Sequence, residues 1–138
     1  MLAWVVLAAA GAVYAWAGRH EMNPDGMSYL DVASAFMRGD WRMALNRHWS
    51  PLYPALLAVT LRVVRPTPYD EFATVQGLNF VIFLGALVSF EFLLSRLIRY
   101  HGTFTAKASS AGRFALPEWA LRILGYLLFA YASLPLIP

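Results

Sequence analysis

Residues 23–31, Asn23-Pro24-Asp25-Gly26-Met27-Ser28-Tyr29-Leu30-Asp31, set two carboxylates and a phenol directly after a long apolar run. An acid beside a bilayer is costly to keep near lipid, so it is read first as a functional candidate. A second polar group follows at Arg47-His48 and Tyr53, just ahead of another apolar stretch. Each has an ordinary structural reading as well. Asn-Pro-Asp-Gly is a favoured turn sequence. Asp31 fits a solvated helix face. Arg42 and Arg47 suit contact with lipid head groups. His48, Trp49 and Tyr53 suit an interfacial aromatic belt.

These groups need elements to hold them. Asn23 is a good N-cap, and Pro24 suits the first helical position. The pattern predicts a helix from Pro24 to about Arg38, stopped by Gly39. Asp25 then falls in its first turn, where the helix dipole favours a negative charge. Met27, Leu30, Ala33, Ser34 and Met37 share one face, with Tyr29, Val32 and Phe36 beside it. Such a helix is expected to lie along a membrane surface. Asp40 can cap a second short helix, Trp41 to Leu45.

Composition sets the surroundings. The chain has 138 residues, 59% of them hydrophobic and only 14% charged; its mean hydropathy is +0.52. A soluble domain usually carries about a quarter charged residues, so several segments are expected in lipid. The net charge of +3 is too small and scattered to suggest nucleic-acid binding. With no cysteine, disulfides and thiolate metal sites are excluded.

The fold class expected is all-α: a polytopic membrane bundle, with amphipathic surface helices in a first outer loop at 18–50. Spans are expected at about 1–17, 72–94 and 116–137. No basic region precedes Leu2, which favours an uncleaved helix over a signal peptide. Residues 51–64 form roughly 21 Å of helix, short of a hydrocarbon core of about 30 Å. They either cross a thinned bilayer or form a re-entrant or interfacial helix. If all four cross, Arg19, Arg38, Arg42, Arg47, Arg96, Arg99, Lys107 and Arg113 share one side, which would be cytoplasmic. If 51–64 does not cross, residues 18–71 stay outside and the loop after Leu94 is cytoplasmic. Glu91 is expected to meet Arg96 or water. Tyr100 to Ala115 reads as a flexible connection.

The order of these features resembles the N-terminal part of the GT-C membrane glycosyltransferases, above all bacterial relatives of the protein O-mannosyltransferases and aminoarabinose transferases. In that family an acid follows the first helix. A surface helix then ends near Gly-Asp-Trp, here Gly39-Asp40-Trp41. A Pro-Pro-Leu-Tyr-like motif opens the next apolar helix, matched here by Pro51-Leu52-Tyr53 with Ser50 in place of the first proline. The resemblance covers about residues 1–95. It implies a single transmembrane domain of which residues 1–138 are the N-terminal part, inactive alone. It also implies a bacterial inner (plasma) membrane, membrane lipids as surroundings and a lipid-linked sugar donor of the polyprenyl-phosphate type, used at the outer face. Asp25 takes the catalytic acidic position. Arg47 and His48 become candidates for the lipid phosphate, and Tyr29, Asp31 and Tyr53 for sugar or carrier. The family often has Asp-Glu where this chain has Asp25-Gly26, so a second acid would have to be Asp31. No cofactor is assigned; a divalent metal is compatible, without a ligand cluster to define it. The acceptor is left open.

Two other classes compete. One is a small non-enzymatic integral membrane protein, such as an assembly or transport subunit, in which Asp25 is replaceable. The other is part of a transporter, with Gln76, Asn79 and Glu91 lining a path. Those three sit near the ends of their helix rather than at its centre, where a transporter's site is expected.

Overall fold

The computed structural model describes residues 2–108 and 117–136, the side chains being described for 2–102 and 117–135. All regular structure among the described residues is helical. In chain order it comprises α1 (Leu2–Ala17), α2 (Pro24–Arg38), α3 (Trp41–Ala44), α4 (Leu52–Val64), α5 (Glu71–Ala108) and α6 (Glu118–Ser133), with a 3-10 turn over Leu134–Leu136.

α5 is the axis. Its segment Glu71–Gly102 has 32 residues, the most apolar window within it has a mean hydropathy of 2.0, and it is the one described helix long and apolar enough to cross a membrane. At 1.5 Å per residue it is about 48 Å long, well over the roughly 30 Å of hydrocarbon. Only 22% of its most apolar window is buried by the rest of the chain. The core helix of a soluble protein would be mostly covered. Here Val81, Val88, Phe92, Leu93 and Leu97 stand exposed.

α1 and α6 pack on α5, and both run antiparallel to it. α1 approaches through a stripe of small residues: Ala8, Gly11 and Ala15. These meet Phe80, Phe83 and Leu84, beside the buried Leu7 and Leu87. A Cβ on Gly11 would lie 2.6 Å from Cε1 of Phe83, so glycine permits the approach. α6 uses Gly125 against Leu94 in the same way. Phe129 stacks on Phe90, with ring centroids 4.7 Å apart.

One polar node lies in this apolar contact. Glu91 accepts hydrogen bonds from the Tyr126 hydroxyl and from Ser95 Oγ at 3.1 Å. Arg122 Nη1 lies 3.5 Å from Glu91 Oε1. The expected Arg96 partner is thus replaced by Arg122. Arg96 is five residues on, turned about 140° around α5 at 100° per residue, and its guanidinium sits over the Phe92 ring instead, 5.1 Å from the centroid.

α2, α3 and α4 cap the N-terminal end of α5. Leu30 and Ala33 of α2 join Leu57, Ala58 and Leu61 of α4 and Val75 of α5 in one core. α2 therefore buries its apolar face against a partner helix rather than spreading it on a surface. α4 has 13 residues, about 20 Å. Its packing partners on α5 include Phe72, Val75 and Leu78, and its Tyr53 hydroxyl bonds Asn79. It lies beside only the first turns of α5, well short of the Phe83–Ile98 stretch.

Local stops follow the residue types. Gly39 has φ 74° and donates its N–H to Ala35 and Phe36 carbonyls, closing α2 in a left-handed cap. Asp40 Oδ1 accepts from Met43 N at 3.2 Å and opens α3. The flexible connection expected from Tyr100 is absent as far as Ala108, where α5 is continuously helical; its remainder lies outside the described residues. So do Leu116 and Ile137, the expected limits of the last helix.

Candidate functional site

The site is built from the start of α2. Asn23 Oδ1 accepts from Gly26 N at 2.7 Å, which sets where the helix begins. Asp25 and Tyr29 are then one turn apart on the same face. Both line a cleft of about 440 Å³, together with Met22, Asn23 and Gly26. Tyr53 enters from α4. From α5 come Val75, Asn79, Ile82, Phe83 and Ala86, and Ser133 closes the end. The α5 residues fall at i, i+4, i+7, i+8 and i+11, a single stripe about 16 Å long. The cleft is polar at its mouth and apolar along its floor.

Asp25 is exposed, and its carboxylate makes no hydrogen bond or ion pair with another described residue. Gly26, where the resembled family often has a second acid, faces Met22. A Cβ there would meet Met22 Cγ at 2.7 Å and Sδ at 2.8 Å. Met22 fills the space that an adjacent acidic side chain would leave through. Among the described residues no three His, Asp or Glu side chains gather as a metal site.

Behind the mouth runs a hydrogen-bond relay. The Tyr53 hydroxyl donates to Asn79 Oδ1 at 2.7 Å. Asn79 Nδ2 donates to Gln76 Oε1 at 3.4 Å. Gln76 Nε2 donates to the Glu21 carbonyl, also at 3.4 Å. Gln76 is 2% exposed, and this relay is what makes its burial tolerable. Nothing in the sequence joins Gln76 and Asn79 to Tyr53. Two amides three residues apart in an apolar helix were the available signal.

Burial pushes the Tyr53 phenol above its ordinary range. A free phenol ionises at about 10. The unfolded chain thus loses this proton first, and stability is lost as pH rises from there through the folded value. Tyr53→Phe is expected to lower the unfolding free energy by about 1 kcal/mol. In an alkaline absorbance titration it should delete a late-ionising phenol. An unchanged titration would show that Tyr53 is not held this way.

The remaining predicted residues fall elsewhere. Asp31 lies about 120° around α2 from Asp25 and lines a second groove of about 450 Å³ with Ser28, Asn46, Arg47 and His48. Asn46 shapes that groove: its Oδ1 accepts from the backbone N–H of His48 and of Trp49, both at 2.9 Å. The Tyr29 and Trp49 rings, 4.8 Å apart edge to face, separate the two hollows. Tyr29 also meets Tyr53 edge to face at 5.0 Å. Asp25, Tyr29 and Tyr53 thus come together, while Asp31, Arg47 and His48 form a neighbouring group.

Among the described residues the structure is all-helical, with one helix fit to cross a membrane and a polar-mouthed cleft at one end of it. No family model matches the chain, nor does any curated protein or solved structure resemble it significantly.

Proposed function

We propose that this chain is the N-terminal part of a GT-C type membrane glycosyltransferase, moving a sugar from a polyprenyl-phosphate donor to an acceptor. In this reading α1, α5 and α6 cross a bacterial plasma membrane and the α2–α4 cap lies at its outer face. The observation that carries it is the unpartnered carboxylate of Asp25 at the mouth of a cleft whose floor is the membrane-length helix. Group transfer at a membrane face needs that geometry: water-facing chemistry directly above hydrocarbon.

The step is a substitution at the anomeric carbon. The acceptor's oxygen or nitrogen forms a bond to that carbon while the bond to the carrier phosphate oxygen breaks. The departing phosphate keeps the electron pair. The acceptor proton goes to the Asp25 carboxylate, which acts as base and orients the acceptor. Arg47 and His48, in the adjoining groove, offset the charge on the leaving phosphate. Tyr29 and Tyr53 offer ring faces and hydroxyls to the sugar.

The test is transfer of labelled sugar from a polyprenyl-phosphate donor by membranes containing the full-length protein. Label is expected in a lipid, glycan or protein pool that control membranes leave unlabelled. A correctly inserted protein that moves no label into any of the three would favour the non-enzymatic alternative.

A further inference from the structure

The two hollows differ in charge. The cleft at Asp25 holds one charged side chain, the aspartate, and no Lys, Arg or His lines it. The second groove holds Arg47 and His48 against one acid, Asp31. At the start of α2 Pro24 has no N–H to offer an anion, and Gly26 N already donates to Asn23. A phosphate in the cleft would face an uncompensated carboxylate across a short distance, which is repulsive. A head group that donates hydrogen bonds and carries no negative charge would meet Asp25 and the two tyrosines. Below it, Ile82, Phe83 and Ala86 continue as an apolar track along the membrane-length helix.

We propose that the cleft binds an amphiphile with an ammonium or hydroxyl head, its apolar chain lying along α5, and that phosphate-headed amphiphiles are excluded from it. The cleft is then the acceptor side, and any phosphate belongs to the groove beyond the Tyr29–Trp49 pair. The acceptor role rests on the glycosyltransferase reading; the binding is measurable without turnover.

The experiment uses the full-length protein in phosphatidylcholine nanodiscs. Photoreactive long-chain alkylamine, alkanol and alkyl phosphate of equal length are compared by the peptides they label. The amine and the alkanol are expected to label Ile82–Ala86 and to be competed by excess unlabelled amine. The outward Val88 and Phe92 report bulk lipid labelling that is not competed. The alkyl phosphate should label only that bulk face. Asp25→Asn should weaken amine labelling of the cleft by about fivefold, the value of one exposed charge pair, and leave the alkanol within about twofold. Ala86→Trp, which fills the track, should remove both. Competed labelling by the phosphate probe, or amine labelling indifferent to Asp25, overturns the proposal. Sugar transfer with no competed labelling also overturns it. Competed labelling with no transfer supports the site and counts against the transferase reading alone.

Discussion

Asp25→Asn in the full-length protein is expected to cut sugar transfer by about 10²- to 10⁴-fold, the usual worth of a positioned general base. That is about 2.7 to 5.5 kcal/mol of barrier. The substitution is nearly isosteric. It keeps the Asn23 cap, because that bond runs from Gly26 N to Asn23 Oδ1. It removes only a favourable charge from the first turn of α2, a small effect on folding. Membrane expression and unfolding should therefore stay near those of the parent. Asp25→Glu should recover part of the rate, since the carboxylate returns at a displaced position. Asp31→Asn is the control on the same helix: it lies in the other groove and should change rate far less. Full transfer by the Asp25→Asn protein would end the catalytic assignment. Loss of transfer together with loss of insertion would mark Asp25 as structural.

The second large effect is on assembly. Gly11→Leu is expected to destabilise the docking of α1 on α5 by about 1 to 3 kcal/mol, the cost of overpacking a filled contact. The first added atom already falls 2.6 Å from Phe83 Cε1 and 3.3 Å from Phe80 Cε2. Phe83 is itself buried, so its ring has little room to turn away. Helix propensity works against this loss, since Leu is better than Gly by up to about 1 kcal/mol. Gly77→Leu isolates that contribution. Gly77 is on α5 with nothing within 4 Å of its would-be Cβ. The same chemical change there should be neutral or stabilising. Unfolding midpoints in mild detergent decide the matter; equal midpoints for the two variants would remove the close-packing account of the α1–α5 contact.

Both variants depend on features that differ in how far the sequence revealed them. α2 was legible almost to the residue, because its limits are set by neighbours in the chain. Asn23 reaches Gly26, Pro24 fits the first turn, and Gly39 takes the left-handed conformation that ends the helix. Asp40 opening α3 is the same kind of contact. The apolar length of α5 was legible too, though not its continuation to Ala108, where polar residues read as a connection. The choice for residues 51–64 was left open in the sequence, since a largely apolar stretch this short fits more than one role. Docking of Leu57, Ala58 and Leu61 on both α2 and α5 put this helix in the cap. Glu91 shows the same limit. Its partner Arg122 is far along the chain, and sequence proximity pointed to Arg96 instead.

The candidate site divides along that line. Sequence by itself determined that Asp25 and Tyr29 share the first turns of a capped helix directly after an apolar segment. Those are contacts three or four residues apart, governed by backbone geometry. Tertiary structure alone decided that Tyr53 and Asn79 join them, that Gly26 yields its space to Met22, and that Arg47 and His48 fall in a separate groove. These depend on how α2 is rotated against α4 and α5, which is set by the fit of Leu30, Ala33 and Leu57 in a shared core. No local pattern encodes that rotation, because side chains distant in the chain must fill one volume together.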